Sequence, residues 1–223
     1  MVKRFLQLLG FVLFMVACLF VSSGRWDWLN GWLLIGLYLG SVVMTWVVVM
    51  RKNPELAALR SKIGKDAKAW DKVLVPIVAV LGPMATWITG GLDQRFGWSH
   101  PSSPAAQIAG VILFAAGSWL VVRAMAANNY FSSVVRIQRE RGHTVASGGP
   151  YQYIRHPGYI GMIGFTLATP LILGSYTAFL PAVATVAVTI LRTVLEDRTL
   201  QRELDGYSDY TRRVRYRLLP GLW

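Results

Sequence analysis

Arg192 and Glu196 are four residues apart, so on a helix they lie on one face. At that spacing an arginine and a glutamate commonly form a modest surface ion pair. They can equally serve a site if the helix packs beside a polar loop. Such a loop exists at 128–158. It reads Asn129-Tyr130-Phe131-Ser132, then Gln138, then His143-Thr144-Val145-Ala146-Ser147-Gly148-Gly149-Pro150-Tyr151, and it ends in Arg155-His156-Pro157-Gly158-Tyr159. Glycine and proline let this backbone turn amides and carbonyls toward a ligand. The same residues also make a plain connection, and composition leaves both readings open. Beyond Glu196 the tail repeats Leu200, Leu204 and Tyr207 at helical spacing, with Gly206 as a helix end. Tyr207, Tyr210, Tyr216, Leu218, Leu219, Pro220 and Trp223 then form an ending that either covers a site or rests on a membrane surface.

Metal chemistry is not expected. His156 has no second His or Cys at ligand spacing. It reads either as a ligand contact or as a tie between the loop and the next helix. His100, His143 and His156 all fall in loops, which argues against haem held between helices. The lone Cys18 lies in an apolar run, so an internal disulfide is ruled out and packing is its ordinary role.

The elements that position these residues belong to a membrane. Of 223 residues, 54% are hydrophobic and only 15% charged, and the mean hydropathy is +0.42. A soluble domain carries about 25% charge. Apolar runs of about 18 residues recur, each long enough to cross a bilayer as a helix. A helix satisfies its backbone without water, and no period-2 alternation suggests a barrel. The fold class expected is all-α, a polytopic transmembrane bundle of five or six spans with a cytosolic C-terminal region. The spans fall at 5–23, 28–50, 73–92, 105–127, 159–174 and 176–195. The first follows Lys3 and Arg4 without a clear cleavage site, so it reads as a retained helix and not a signal peptide. The fifth is short, about 24 Å at 1.5 Å per residue. Pro170, Gly174 and Pro181 punctuate the turn between five and six, which read as a tight hairpin.

Charge sets the orientation. Twenty basic residues fall before span one, between two and three, between four and five, and in the tail. Arg25 and Arg95 alone lie on the opposite side. Both termini are therefore expected in the cytoplasm. The same distribution explains the net charge of +12 without nucleic acid, because no continuous basic face exists. In the loop 51–72, Asn53, Pro54 and Glu55 suit a helix start, with Leu56, Leu59 and Ile63 on one face and Trp70 at the interface. Arg123, one turn from the cytoplasmic end of span four, either extends to the interface or meets an anionic substrate group. Trp26, Trp28, Trp46, Trp98 and Trp119 suit interfacial belts.

Gly149-Pro150-Tyr151, Arg155-His156-Pro157-Gly158-Tyr159, Arg192, Glu196-Asp197, Leu200, Gly206-Tyr207 and Tyr210 together carry a family signature. The chain resembles the isoprenylcysteine carboxyl methyltransferase family, related to the membrane phospholipid methyltransferases, over about residues 125–223. The family usually shows Glu-Glu where this chain has Glu196-Asp197, which shortens one arm and favours Glu196 for the family's role. The resemblance divides the chain into N-terminal transmembrane helices, 1–127, and a methyltransferase region, 128–223. The latter comprises the loop 128–158, a helical hairpin 159–195 and a cytosolic tail 196–223. It implies S-adenosylmethionine as cofactor, taken from the cytosol and held by loops, not by a Rossmann fold. It assigns Gln138 (across a short gap), His143, Thr144, Val145, Ala146, Tyr151, His156, Pro157, Gly158, Tyr159 and Glu196 to that cofactor. It assigns Arg192 to the carboxylate of a lipidic or prenylated substrate arriving from the membrane, with Arg192 and Glu196 as the catalytic residues. A guanidinium fork suits a carboxylate.

Carboxyl methylation would need no general base, since a carboxylate is already nucleophilic. Two rivals remain. One is methyl transfer to a phospholipid amine or a small thiol. The other is a non-enzymatic transporter or scaffold, which would place polar groups or broken helices at midplane in related halves. Here the polar residues gather at one face.

Overall fold

The computed structural model describes residues 2–52 and 67–223, and every regular element among them is helical. Helix α1, Val2–Val16, continues through a π-helical turn, Ala17–Val21. Helix α2 is Leu29–Lys52, and α3 is Ala69–Phe96 with a π-helical turn at Ile77–Leu81. Helices α4 (Pro104–Ala127), α5 (Pro157–Leu173), α6 (Phe179–Glu203) and α7 (Tyr207–Arg213) follow. The amphipathic helix expected around Asn53–Ile63 lies outside the described residues. Trp70 belongs to the first turn of α3.

Local chemistry sets the boundaries. Ser103 caps α4, its Oγ accepting from the Ala106 amide, and Pro104 takes the first helical position, where no amide is needed. Gly174 ends α5 at φ +77°, and its amide donates back to the Leu171 carbonyl. Pro170 sits inside α5 without breaking it, and Pro181 sits in the first turn of α6. The hairpin turn therefore rests on Gly174 and its neighbours.

Helices α1 to α6 alternate in direction. Gly91 of α3 meets Ser22 and Leu19 after α1, while Gly174 lies near Asn30 of α2 and Gln107 of α4. At the opposite end Val49 of α2 clusters with Met125 of α4, and Asp71 of α3 binds Arg192 of α6. The closest pairing is α4 against α5. A Cβ on Gly117 would stand 2.6 Å from the Gly161 carbonyl oxygen, and one on Gly110 would stand 2.8 Å from the Leu171 Cβ. Small residues on these faces let the two backbones touch, as in membrane helix pairs generally.

Among the described residues, α2 (over Leu29–Val49), α3, α4 and α6 are long and apolar enough to cross a membrane. Leu6–Val21 and Pro157–Leu173 are shorter apolar helices. Trp26, Trp46, Trp98 and Trp119 are exposed, whereas Trp28 is buried in the core with Phe20 and Trp87. Trp28 packs the bundle and does not sit in a belt. Arg123 is exposed, its guanidinium over the Trp119 ring.

The end remote from Arg192 is tied by Asp93. Its carboxylate accepts from the Ser99 amide at 2.7 Å and from the Ser99 and Ser175 hydroxyls, joining the end of α3 to the α5–α6 turn. The other end of the bundle is polar, hollow and much more elaborate.

Candidate active site

A cavity of about 340 Å³ opens where α3 begins, α4 ends, α5 begins and α6 ends. That size lies within the range of small-molecule sites. Its polar walls include Arg192, Glu196, His143, His156, Tyr130 and Tyr159. Its apolar walls are Val75, Val78 and Ala79 of α3, Val121 of α4, and Met162 and Phe165 of α5. Val75, Val78 and Ala79 fall within or beside the π-helical turn, and such turns are frequent at functional sites.

Of the residues singled out in the sequence, His143, Val145, Ala146, Tyr151, His156, Gly158, Tyr159, Arg192 and Glu196 line this cavity. Gln138, Thr144 and Pro157 do not. Thr144 is exposed, and Pro157 is buried as the first residue of α5. Gln138 is buried behind the wall. Its side-chain amide donates to the Tyr130 carbonyl at 2.7 Å, and its Oε1 accepts from Arg141 at 2.7 Å. Its own amide donates to His143 Nδ1 at 3.2 Å. Gln138 therefore shapes the loop that presents Tyr130 and His143, whose rings stack 4.3 Å apart. Burial, then the nearby Arg141 cation, hold the His143 pKa down to about 4. The ring is neutral at working pH, and because Nδ1 accepts, the proton sits on Nε2.

Helix α6 carries the densest chemistry. Arg192 Nε donates to Asp71 Oδ1 at 2.7 Å, and Nη2 donates to Asp71 Oδ2 at 3.1 Å and to the Ser133 carbonyl at 3.0 Å. The guanidinium lies over the Tyr159 ring at 5.4 Å. One turn on, Glu196 accepts a short hydrogen bond from the Tyr159 hydroxyl. The i,i+4 pair thus shares the cavity wall, but each member has its own partner. The fork expected for a substrate carboxylate is taken along its Nε–Nη2 edge by Asp71, and Nη1 has no partner among the described residues.

Asp197, adjacent to Glu196, does something else. A helix turns about 100° per residue, so Asp197 points away from the cavity wall. It is fully buried and binds Arg155 Nε at 2.9 Å and Nη2 at 3.1 Å. It also faces His156 Nε2 at 3.1 Å, and accepts from Tyr207 Oη at 2.9 Å, Gln201 Nε2 at 2.8 Å and Arg217 Nε at 2.9 Å. Burial and then the Asp197 carboxylate push the Tyr207 hydroxyl pKa up, so it stays a donor. Arg155 completes the knot through the Val214 and Arg215 carbonyls, and the 155–156 amides donate to the Tyr216 and Arg217 carbonyls. Tyr210 lines the cavity and donates to the Tyr151 carbonyl at 2.7 Å. The aromatic tail folds back over the loop as a wall of the site.

Sequence reasoning missed Asp71. It is fully buried, accepts from the Val135 amide at 2.6 Å, and stands 121 positions before Arg192. The available signal was physical: an arginine in an apolar helix needs a buried acid, and the chain has only 11 acidic residues.

A helical membrane bundle with one polar, hollow end is a frame that many enzymes and transporters share. The family described as phospholipid methyltransferase matches residues 105–205, which takes in α4 to α6 and the loop over the cavity. Protein-S-isoprenylcysteine O-methyltransferases of Rattus norvegicus and Mus musculus are each 26% identical over 214 residues, covering 92% of this chain and 70% of theirs. The protein of that name from Schizosaccharomyces pombe is 35% identical over 65 residues, 29% of this chain and 28% of its own. The chain is a multi-pass membrane enzyme of the methyltransferase class. It resembles the isoprenylcysteine and phospholipid methyltransferases, the latter over residues 105–205.

Proposed function

We propose that the protein is an S-adenosylmethionine-dependent methyltransferase that esterifies a carboxylate on an isoprenylcysteine-like or other lipidic acceptor. The observation that carries the reading is one cavity faced by Arg192 and Glu196 at its polar end and by α3–α5 aliphatic residues at the other. The lining suits the cofactor. Glu196 offers a carboxylate to its cationic groups, and the neutral His143–Tyr130 stack offers an aromatic face. His143, Val145, Ala146, Tyr151, His156, Gly158, Tyr159 and Glu196 would hold it, with Gln138, Thr144 and Pro157 shaping the backbone around them. When bound, it supplies an electrophilic methyl group. Arg192 orients the acceptor oxygen through Nη1, and the aliphatic walls exclude water. No protein base is needed, since the acceptor is ionised at neutral pH.

In this reading all six passes span the bilayer, with both termini and the region 128–223 at the cytosolic side. The alternating passes and the basic residues gathered at the site end support that arrangement. The acceptor would be a prenylated or lipidic molecule reaching the cavity from the membrane and the cofactor would come from the cytosol. Neither nucleic acid nor metal takes part.

A second reading, methylation of a phospholipid amine, is favoured by Glu196, whose Oε1 has no partner among the described residues and could take a proton. Transfer of labelled methyl from S-adenosylmethionine separates the two. An S-prenylated cysteine with a free carboxylate should be methylated, while its carboxamide and phosphatidylethanolamine should not. Labelling of phosphatidylethanolamine alone overturns the carboxylate reading. Arg192→Ala should keep cofactor binding and lose turnover; equal loss of both would end the division of roles between Arg192 and Glu196.

A further inference from the structure

Arg192 has more partners than a group reserved for substrate needs. Asp71 takes the Nε–Nη2 edge with both oxygens, at 2.7 and 3.1 Å. The Ser133 carbonyl accepts from Nη2 at 3.0 Å, and the Tyr159 ring lies 5.4 Å from the guanidinium carbon. The Asp71 carboxylate is itself fixed by the Val135 amide at 2.6 Å and has no exposed surface. Its neighbour Lys68 ties the start of α3 to Glu203 at the end of α6, at 2.6 Å. The guanidinium is thus immobilised in plane and roll. Nη1 is the one nitrogen of the guanidinium without a partner among the described residues, and Arg192 lines the cavity.

We propose that Asp71 is a positioning residue for methyl transfer: it occupies one edge of Arg192 and leaves Nη1 alone to hold the acceptor. The inference rests on the carboxylate reading above. Two consequences follow from charge and geometry. An acceptor carboxylate meets a single nitrogen, so its second oxygen stays free to attack. It also meets an ion pair already neutralised by Asp71, not a bare buried cation. A bare cation in a low-dielectric site would bind the carboxylate tightly and blunt its nucleophilicity. Asp71 therefore trades acceptor affinity for reactivity, and it does so from the N-terminal half of the chain, outside the stretch that carries the family signature.

The test uses the full-length protein in detergent, with Asp71→Asn, Arg192→Lys and the double variant. Cofactor affinity is read by calorimetry, and acceptor kcat and KM by transfer of labelled methyl to an S-prenylated cysteine. Accessibility of residue 192 is read by the rate of phenylglyoxal modification, followed by mass spectrometry of the peptide bearing it. Asp71→Asn should leave cofactor affinity within about 3-fold and lower kcat about 10- to 100-fold with KM unchanged or lower. It should also speed modification of Arg192. The double variant should be no worse than the worse single variant, because the two residues act as a unit. Parental kcat in Asp71→Asn, additive losses in the double variant, or parallel loss of cofactor binding and turnover would each overturn the proposal. Should Asp71→Asn fail to fold, Arg192→Lys carries the test. Its one nitrogen would be spent on Asp71, so it should bind cofactor and lose acceptor turnover, and parental turnover would refute the inference. A parent protein that binds cofactor yet methylates no carboxylate overturns the acceptor reading instead; phenylglyoxal then still judges whether Asp71 holds Arg192.

Discussion

Glu196 and Asp197 are neighbours in sequence and should fail in opposite ways. Asp197→Asn keeps the shape and removes the charge from a carboxylate that is fully buried against an Arg155 side chain only 6% exposed. Breaking a buried ion pair from one side costs about 3–5 kcal/mol, because the other charge stays buried. Arg155 retains the Val214 and Arg215 carbonyls at 3.0 and 2.8 Å, and the asparagine keeps one acceptor oxygen, so the low end applies. In a chain of this size about 3 kcal/mol corresponds to roughly 6–12 °C of melting temperature. The tail should loosen with it, since Tyr207 and Arg217 both anchor on Asp197. Glu196→Gln removes a half-buried carboxylate bonded only to the Tyr159 hydroxyl among the described residues. It should melt within about 2 °C of the parent, corresponding to roughly 0.5 kcal/mol, and lose cofactor binding. Thermal unfolding in detergent, paired with calorimetric titration of the cofactor, reads both. An Asp197→Asn protein that melts with the parent would refute the reasoning, as would a Glu196→Gln protein that unfolds as early as Asp197→Asn.

The α4–α5 contact predicts that Gly117→Ala lowers the melting temperature, since its Cβ would meet the Gly161 carbonyl at 2.6 Å and the Phe165 amide nitrogen at 3.0 Å. Overpacking of this kind costs about 1–3 kcal/mol, and a variant as stable as the parent would show that the helices can part freely. His143 predicts a pH dependence. Its folded pKa of about 4 lies below the unfolded value of about 6.5, so opened chains take up a proton first as pH falls. Its stabilising contribution is complete above pH about 6.5 and is lost as pH drops toward about 4. A His143→Asn variant should therefore show a shallower decline in melting temperature between pH 7 and 4.5, and an unchanged slope would remove His143 as the cause.

Much of this was legible because membrane helices announce themselves. Segments such as 105–127 differ from the observed Pro104–Ala127 by one residue, since a serine cap and a proline mark the start. Span six was read to 195 with its helix carried on to Gly206, whereas α6 ends at Glu203 and Gly206, at φ +78°, precedes α7. Hydropathy falls after Leu195, but the helix persists because Asp197 and Thr199 are buried against other elements. The motif residues His156, Tyr159, Arg192 and Glu196 do converge, because the loop precedes α5 and α6 returns antiparallel to it. Gln138, Thr144 and Pro157 show the limit. Motif position along a loop does not say which way a side chain points, and that direction depends on turns such as the one at Gly142, where φ is +61°. Asp71 was out of reach of spacing altogether, since nothing local to it refers to Arg192.

The charges at the site end explain why the two acids of α6 differ. Asp71 and Arg192 form one pair, and Asp197 is shared by Arg155 and Arg217. Glu196 is the remaining carboxylate in the cavity wall, and no guanidinium bonds to it among the described residues; a tyrosine hydroxyl does. A hydroxyl stabilises a carboxylate without neutralising it. The negative charge left in the cavity is therefore concentrated on Glu196, while Asp197 is over-compensated and Arg192 is balanced. A cationic ligand entering this space is drawn to Glu196, and an anionic one finds Nη1 of Arg192 without a partner among the described residues, while Arg136, also in the cavity wall, is paired with Glu140. The proposed division between a cofactor pole and an acceptor pole thus rests on which charges the fold has already paired.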